Sequence, residues 1–288
     1  MTHPGVLLKT HGLHASKRRG QNFLCQPATA SAIARAAGIQ AGDVVLEIGA
    51  GLGALTCACA ELAARVVALE VDRGLHAVLA GLLAERGIAN VDLRLADALD
   101  LDWPAIAAEA GGPLVVVGNL PYAISSPLLF NLLENRALWR SATLMVQREV
   151  ATRLLAAPGG KDYGRLTVLM QTWLEARPGM VVGPEQFFPR PAVDSQVLHL
   201  KPLEAPLVPL AGPAAEEWFS RVVKAAFSQR RKTLANSLAG GLNRPREEAA
   251  QAIAAAGLDP GRRAETLQPQ ELGRVAAALA PSMGQGVD

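Results

Sequence analysis

Four short strand-like runs dominate the first half of this chain: Val44-Val45-Leu46-Glu47-Ile48, Val66-Val67-Ala68-Leu69-Glu70 and Leu114–Val117, which are almost continuously apolar, and Val91–Ala96, in which Asp92 and Arg94 alternate with apolar residues. A strand that faces water on one side alternates apolar and polar residues, whereas a strand covered on both faces reads as an unbroken apolar run. Between these runs lie helix-forming stretches, one Ala- and Leu-rich to about Ala64 and one over Arg73–Glu85. Strand, helix and strand in this rhythm close only as right-handed β-α-β units, so the pattern predicts a mostly parallel sheet with helices on both faces. Further strand-like runs near Leu144–Gln147, Leu166–Met170 and Val197–Leu200 extend the expectation to a seven-stranded, Rossmann-like α/β domain.

After Leu200 the pattern breaks. Pro202-Leu203-Glu204-Ala205-Pro206-Leu207-Val208-Pro209 reads as a linker. Beyond it Trp218, Phe219, Val222, Val223 and Phe227 recur at helical spacing, with more helical runs at Arg246–Ala256 and Pro269–Leu279. The expected organisation is therefore an α/β domain with its N-terminal arm over residues 1–205 and a small helical domain over 206–288. Cys25, Cys57 and Cys59 are too few and wrongly spaced for a disulfide framework or a zinc site, so no metal is expected. No signal-like or membrane-length apolar stretch occurs, and a soluble cytoplasmic protein is expected.

Net charge is only +2, but it is unevenly placed. Lys9–Arg19 carries Lys9, Lys17, Arg18 and Arg19 without an acid, and Arg221–Arg246 carries seven Arg and Lys residues without one. Acid-free basic stretches on a near-neutral chain point to localised polyanion binding; a solvated face is the competing explanation.

Gly49-Ala50-Gly51-Leu52-Gly53 follows the first apolar run directly. In open α/β sheets ligands sit at the carboxyl ends of strands, and glycine there lets a ligand approach the backbone. Glu70, about twenty residues on, ends the next strand where a carboxylate can accept both ribose hydroxyls. Asp97 follows the third, placed to accept from an adenine amino group. The relaxed dinucleotide fingerprint Gly49-x-Gly51-x-x-Ala54 is satisfied too. The loop thus establishes an adenosine-type cofactor and leaves a nicotinamide dehydrogenase open.

Asn119-Leu120-Pro121-Tyr122, directly after the fourth run, separates the two. Adenine's amino nitrogen is a poor nucleophile because its lone pair is delocalised into the ring. An Asn side-chain oxygen and a backbone carbonyl held in place by Pro121 can bind its two N–H groups and aim the lone pair at an activated methyl. Tyr122 offers a face for the base, a contact worth about 1–3 kcal/mol. Such a reaction needs positioning more than a strong base.

At this point the chain resembles the KsgA/RsmA family, the small-subunit ribosomal RNA adenine dimethyltransferases. The matching strings are Lys17-Arg18-Arg19-Gly20-Gln21-Asn22-Phe23-Leu24, the glycine loop, Gly118-Asn119-Leu120-Pro121-Tyr122, Tyr163-Gly164-Arg165-Leu166, Pro191-Ala192-Val193-Asp194-Ser195 and Phe227–Leu238. The resemblance implies S-adenosylmethionine contacts from Asn22, Leu24, Gly49, Gly51, Glu70, Asp97 and Asn119. It also implies a target-adenine pocket built on Asn119, Pro121 and Tyr122, with Phe187, or else Phe188, closing its far side. By the same resemblance the substrate is a pair of adjacent adenines near the 3′ end of 16S rRNA in a small-subunit assembly intermediate; oligomeric state is open from the sequence, a monomer being the simplest expectation. Lys17, Arg18 and Arg19 beside the cofactor entry, and Arg230, Arg231 and Lys232 on an expected helix, would hold RNA phosphates. A non-catalytic RNA-binding assembly factor on the same fold is the alternative. Ala50 departs from a proline common in the family's loop, Arg19 stands where an aromatic or aliphatic residue is frequent, and Glu47 is a secondary candidate for reaching the cofactor's amino group.

Overall fold

The computed structural model describes residues 2–16, 18–229 and 231–280. Their elements run α1 (Pro4–Thr10), β1 (Phe23–Leu24), α2 (Pro27–Ala36), β2 (Val44–Ile48), α3 (Ala54–Ala60), β3 (Arg65–Glu70), α4 (Arg73–Glu85), β4 (Val91–Leu95), α5 (Trp103–Ala110), β5 (Leu114–Asn119), α6 (Ser125–Glu134) and β6 (Trp139–Gln147). They continue with α7 (Arg148–Leu154), α8 (Arg165–Trp173), β7 (Leu174–Val182), β8 (Phe187–Phe188), β9 (Ser195–Pro202), α9 (Pro213–Ala226), α10 (Leu234–Leu242), α11 (Arg246–Ala255) and α12 (Pro269–Ala278). No helix among the described residues is long and apolar enough to cross a membrane.

The chain divides into two compact units, residues 1–151 with 175–202 and residues 152–174 with 203–288. In the first, seven strands form one sheet in the order β4-β3-β2-β5-β6-β9-β7. The strands from β4 to β6 pair in parallel, and β9 runs antiparallel to β6. The continuous apolar runs have the expected cause: Val45, Leu46, Val66 and Val115–Val117 are fully buried. Because the strand order reverses between β2 and β5, a crevice opens outside their carboxyl ends, where the glycine loop and Asn119 emerge.

One expected strand is a helix. Leu166–Met170 lies within α8, started by the Gly164 N–H donating to Thr167 Oγ1 at 3.1 Å. A short run buried on all sides carries no periodicity that separates strand from helix. The edge strand is instead β7, whose Pro178 and Gly179 hide it from sequence inspection; an edge position tolerates proline because no ladder donor is needed there.

The second unit packs α8–α12 around Phe219, Leu234, Leu238, Ile253, Leu272 and Val275, all inaccessible to solvent. Tyr163 is fully buried and donates its hydroxyl to the Leu267 carbonyl at 2.9 Å, and Trp173 meets Phe219 edge-on at 6.0 Å. The proline-rich stretch expected as a linker is packed down: Leu203 and Leu207 donate to the carbonyls of Trp173 and Thr172, both at 2.8 Å, and Val208 is buried against Gly273.

Candidate active site

The glycine loop is pinned to the neighbouring strand. Gly49 and Ala50 N–H groups both donate to the Leu69 carbonyl, at 3.1 and 2.9 Å. A proline at position 50 would remove the second donor, so Ala50 secures the loop by a bond that proline cannot make. Gly51 follows with φ +58°, and a Cβ there would come within 3.1 Å of the Phe23 ring. Its N–H donates to Glu70 Oε2 at 2.8 Å, while the Asp72 N–H donates to Glu70 Oε1 at 2.8 Å. Glu70 is therefore held by both oxygens at the end of β3, each keeping a lone pair for a further donor. It is 5% exposed, and burial pushes its carboxyl above the usual range against those two backbone bonds.

Asp97 follows β4; its Oδ1 accepts the Leu99 N–H at 2.9 Å and it is exposed. At the end of β5 Asn119 Nδ2 donates to the Asn22 carbonyl at 2.8 Å. The Pro121 carbonyl accepts the Ile124 N–H at 3.1 Å and closes a single 3-10 turn over Tyr122–Ile124. The Tyr122 hydroxyl and Ser195 Oγ share a hydrogen bond of 2.6 Å, and burial pushes the Tyr122 phenol upward.

The N-terminal arm covers these groups. Ser16 and Gln21 bond each other through the Ser16 N–H to Gln21 Oε1 at 2.8 Å and the Gln21 N–H to the Ser16 carbonyl at 3.2 Å. Gly20, at φ +64°, rests on the Tyr122 and Ala123 backbone nitrogens, where a Cβ would come within 3.1 Å. Arg19 forms an ion pair with Asp72, which also caps α4 by accepting the Gly74 and Leu75 N–H groups.

Between arm, glycine loop and strand ends lies a cavity of about 360 Å3, lined among others by Gly49, Gly51, Glu70, Asp97, Asn119 and Tyr122. That volume falls in the range that takes a nucleoside-sized ligand. A second cavity of about 460 Å3 shares Gly20, Gln21, Asn22, Tyr122 and Ala123 with the first and is bounded beyond them by Gln147 and Pro189–Val193. Tyr122 is thus a wall common to both. Behind the glycine loop a cavity of about 40 Å3 is lined by Glu47 and Asn119. Glu47 is 1% exposed, its Oε2 has no hydrogen-bond partner, and burial pushes its carboxyl up to about 7.

Of the residues singled out in the sequence, Asn22, Gly49, Gly51, Glu70, Asp97, Asn119, Pro121, Tyr122, Arg18 and Arg19 all reach the 360 Å3 cavity. Leu24 does not; its side chain is in the core. Phe187 does not either, because β8 pairs with β1 in the register Leu24↔Phe187 and buries that ring in the same core cluster as Leu24, Ala50 and Val182. Phe188 is exposed and meets His3 edge-on at 5.5 Å. Arg19 is not a free cation, being paired with Asp72. Lys17 and Arg230 lie outside the described residues. Arg231 and Lys232 are exposed but sit in the turn between α9 and α10 rather than on a helix, since Thr233 Oγ1 accepts the Asn236 N–H and starts α10 only after them. Asp72 and Ser195 were missed as site residues. A capping aspartate two residues beyond Glu70 was readable as such; Ser195 carried no local signal beyond its motif.

A profile of the family described as ribosomal RNA adenine dimethylase matches residues 12–280. The chain is 47% identical over 280 residues to the ribosomal RNA small subunit methyltransferase A of Desulforapulum autotrophicum, covering 97% of each chain. Among solved structures, a dimethyladenosine transferase from Plasmodium falciparum superposes with a TM-score of 0.71 at 24% identity, over 88% of this chain and 95% of that one. The 23S rRNA methyltransferase ErmE superposes with a TM-score of 0.65 at 30% identity, over 89% and 99%.

Proposed function

This chain belongs to the ribosomal RNA adenine dimethylase family, and from that premise we propose that it dimethylates the N6 amino groups of two adjacent adenines near the 3′ end of 16S rRNA, using S-adenosylmethionine. The substrate is a small-subunit assembly intermediate, and the enzyme works on it as a cytoplasmic monomer. Family membership sets aside the nicotinamide reading of the glycine loop.

The observation that carries the reading is the orientation of Asn119. A carbonyl only accepts, so the Asn22 carbonyl requires the amide nitrogen of Asn119 on its side and leaves Oδ1 as the outward acceptor. The residues present fit the cofactor: Gly51 leaves space that a Cβ would fill against Phe23, and Glu70 keeps a lone pair on each oxygen for a ribose diol. Asp97 would accept from the cofactor's adenine amino group, Gly49 and Asn22, which line the same cavity, would flank it, and Leu24 would contribute through its backbone. When bound, S-adenosylmethionine supplies an electrophilic methyl on a sulfonium.

The rest falls to this chain. Asn119 Oδ1 and the Leu120 carbonyl, the Pro121 carbonyl being engaged in its turn, accept the two N–H groups of the target amine. That favours a pyramidal nitrogen whose lone pair faces the methyl. Tyr122 stacks on the base, which must leave its helix to enter, so unpaired or loosely paired RNA is the substrate. Arg18, Arg231 and Lys232 are exposed cations suited to holding phosphates; Lys17 and Arg230 are assigned the same role from the sequence.

Mass spectrometry of rRNA fragments, after incubating under-methylated small subunits with S-adenosylmethionine, tests this. Two adjacent dimethyladenosines are expected, with background modification for Asn119→Ala. Equal background for wild type and variant would leave the non-catalytic assembly factor in its place.

A further inference from the structure

The motif Pro191-Ala192-Val193-Asp194-Ser195 has so far no part in the chemistry. Its last residue, Ser195, is fully buried, yet its hydroxyl bonds the Tyr122 hydroxyl at 2.6 Å. Ser195 is fixed by regular structure: it opens β9 and pairs with Gln147, the last residue of β6. The preceding residue is clamped as well, with the Arg148 N–H donating to the Asp194 carbonyl at 3.0 Å and the Arg148 guanidinium 3.2 Å from the Asp194 carboxylate.

Tyr122 is held differently. Its backbone belongs to one 3-10 turn, and its ring is the wall between the 360 and 460 Å3 cavities. Pro121, at φ −58°, fixes where the ring starts, and Gly20 lies close enough to the Tyr122 nitrogen that a Cβ there would come within 3.1 Å of it. Neither restrains the far end of a side chain that can still tilt about its two torsions. The hydroxyl is that far end, and the sheet-mounted Ser195 takes hold of it.

We propose that Ser195 is a positioning residue for methyl transfer: through the Tyr122 hydroxyl it locks the aromatic wall at one tilt, so that a base stacking on it presents its amino group to Asn119. The proposal rests on the methyltransferase reading above. Two consequences follow from the geometry. The Tyr122 hydroxyl is occupied and acts as an anchor, not as an acid or a hydrogen-bond partner of the base. The motif's serine touches neither base nor cofactor, since Ser195 lines neither cavity; it acts only through the Tyr122 hydroxyl.

The test is a double-mutant cycle of Ser195→Ala, Tyr122→Phe and their combination, read as kcat and KM for RNA, Kd for S-adenosylmethionine, and Tm. Each single variant should lower kcat by about 5- to 10-fold, the usual consequence of removing one neutral hydrogen bond. The double variant should be no slower than either, and cofactor affinity should stay within about twofold. Multiplying effects, an unchanged kcat in either single variant, or equal losses in kcat and cofactor affinity would each overturn it. Tyr122→Phe breaks the same bond without altering the buried serine, so it decides the matter should Ser195→Ala fold poorly. Wild-type turnover speaks to the methyltransferase reading by itself; the ratios among variants speak to Ser195.

Discussion

Asn119 and Asn22 are joined across the mouth of the cavity by a 2.8 Å hydrogen bond from the Asn119 amide to the Asn22 carbonyl. One bond thereby ties the arm to the strand end and decides which way the reactive amide faces. Asn119→Asp tests the directionality, since a carboxylate keeps an acceptor oxygen and cannot donate to Asn22. It should lower kcat by about 100-fold or more, as removal of a preorganised polar partner does in other active sites. Methyl incorporation measures it; retention of more than about a tenth of the activity would show that the acceptor alone suffices.

Arg19 is a cation paired to Asp72. The two side chains are 42% and 28% exposed, so the pair is weak, about 0.2–1 kcal/mol, and screened by salt. Arg19→Met should weaken S-adenosylmethionine binding by about 2- to 5-fold in low salt. It should also flatten the salt dependence of that Kd, measured by calorimetry. A variant that keeps the wild-type salt response would place the arm's hold elsewhere.

Glu47 predicts a pH effect on stability. Burial raises its carboxyl from 4.5 to about 7, so in that interval the folded chain keeps a proton that the unfolded chain releases. The stabilisation is complete below about 4.5 and is lost as pH rises through about 7, on the order of 3 kcal/mol in all. Urea unfolding at several pH values should show Glu47→Gln losing that slope and overtaking wild type above neutrality.

Arg231 and Lys232 stand exposed in the turn before α10. Reversing both charges should weaken RNA binding similarly for unrelated sequences. It should also reduce the slope of log K against log salt by about 1.4, two single-strand phosphate contacts at about 0.7 each. An unchanged slope would remove them from the RNA surface.

Much of the site was legible because parallel sheets place ligands by topology. Once the runs ending at Ile48, Glu70, Ala96 and Val117 were strands, their carboxyl ends had to converge, and Glu70, Asp97 and Asn119 line one cavity. Phe187 was not legible, since two adjacent phenylalanines on a strand point opposite ways and only the pairing with Leu24 decides which one is buried. The Ser195 hydroxyl bond was equally hidden, joining residues 73 positions apart. Leu166–Met170 failed for want of a period, and Arg231 and Lys232 because the helix start at Thr233 outweighed their own helix propensity.

The helical unit is written in two instalments. Tyr163 and Trp173 are made early, but the Leu267 carbonyl and Phe219 ring that cover them come later in the chain. During synthesis these aromatics wait uncovered until the C-terminal segment leaves the ribosome. A shortened protein ending near residue 205 would carry them as a permanent apolar scar, so the α/β portion should be isolated by excising both segments rather than by cutting off the tail.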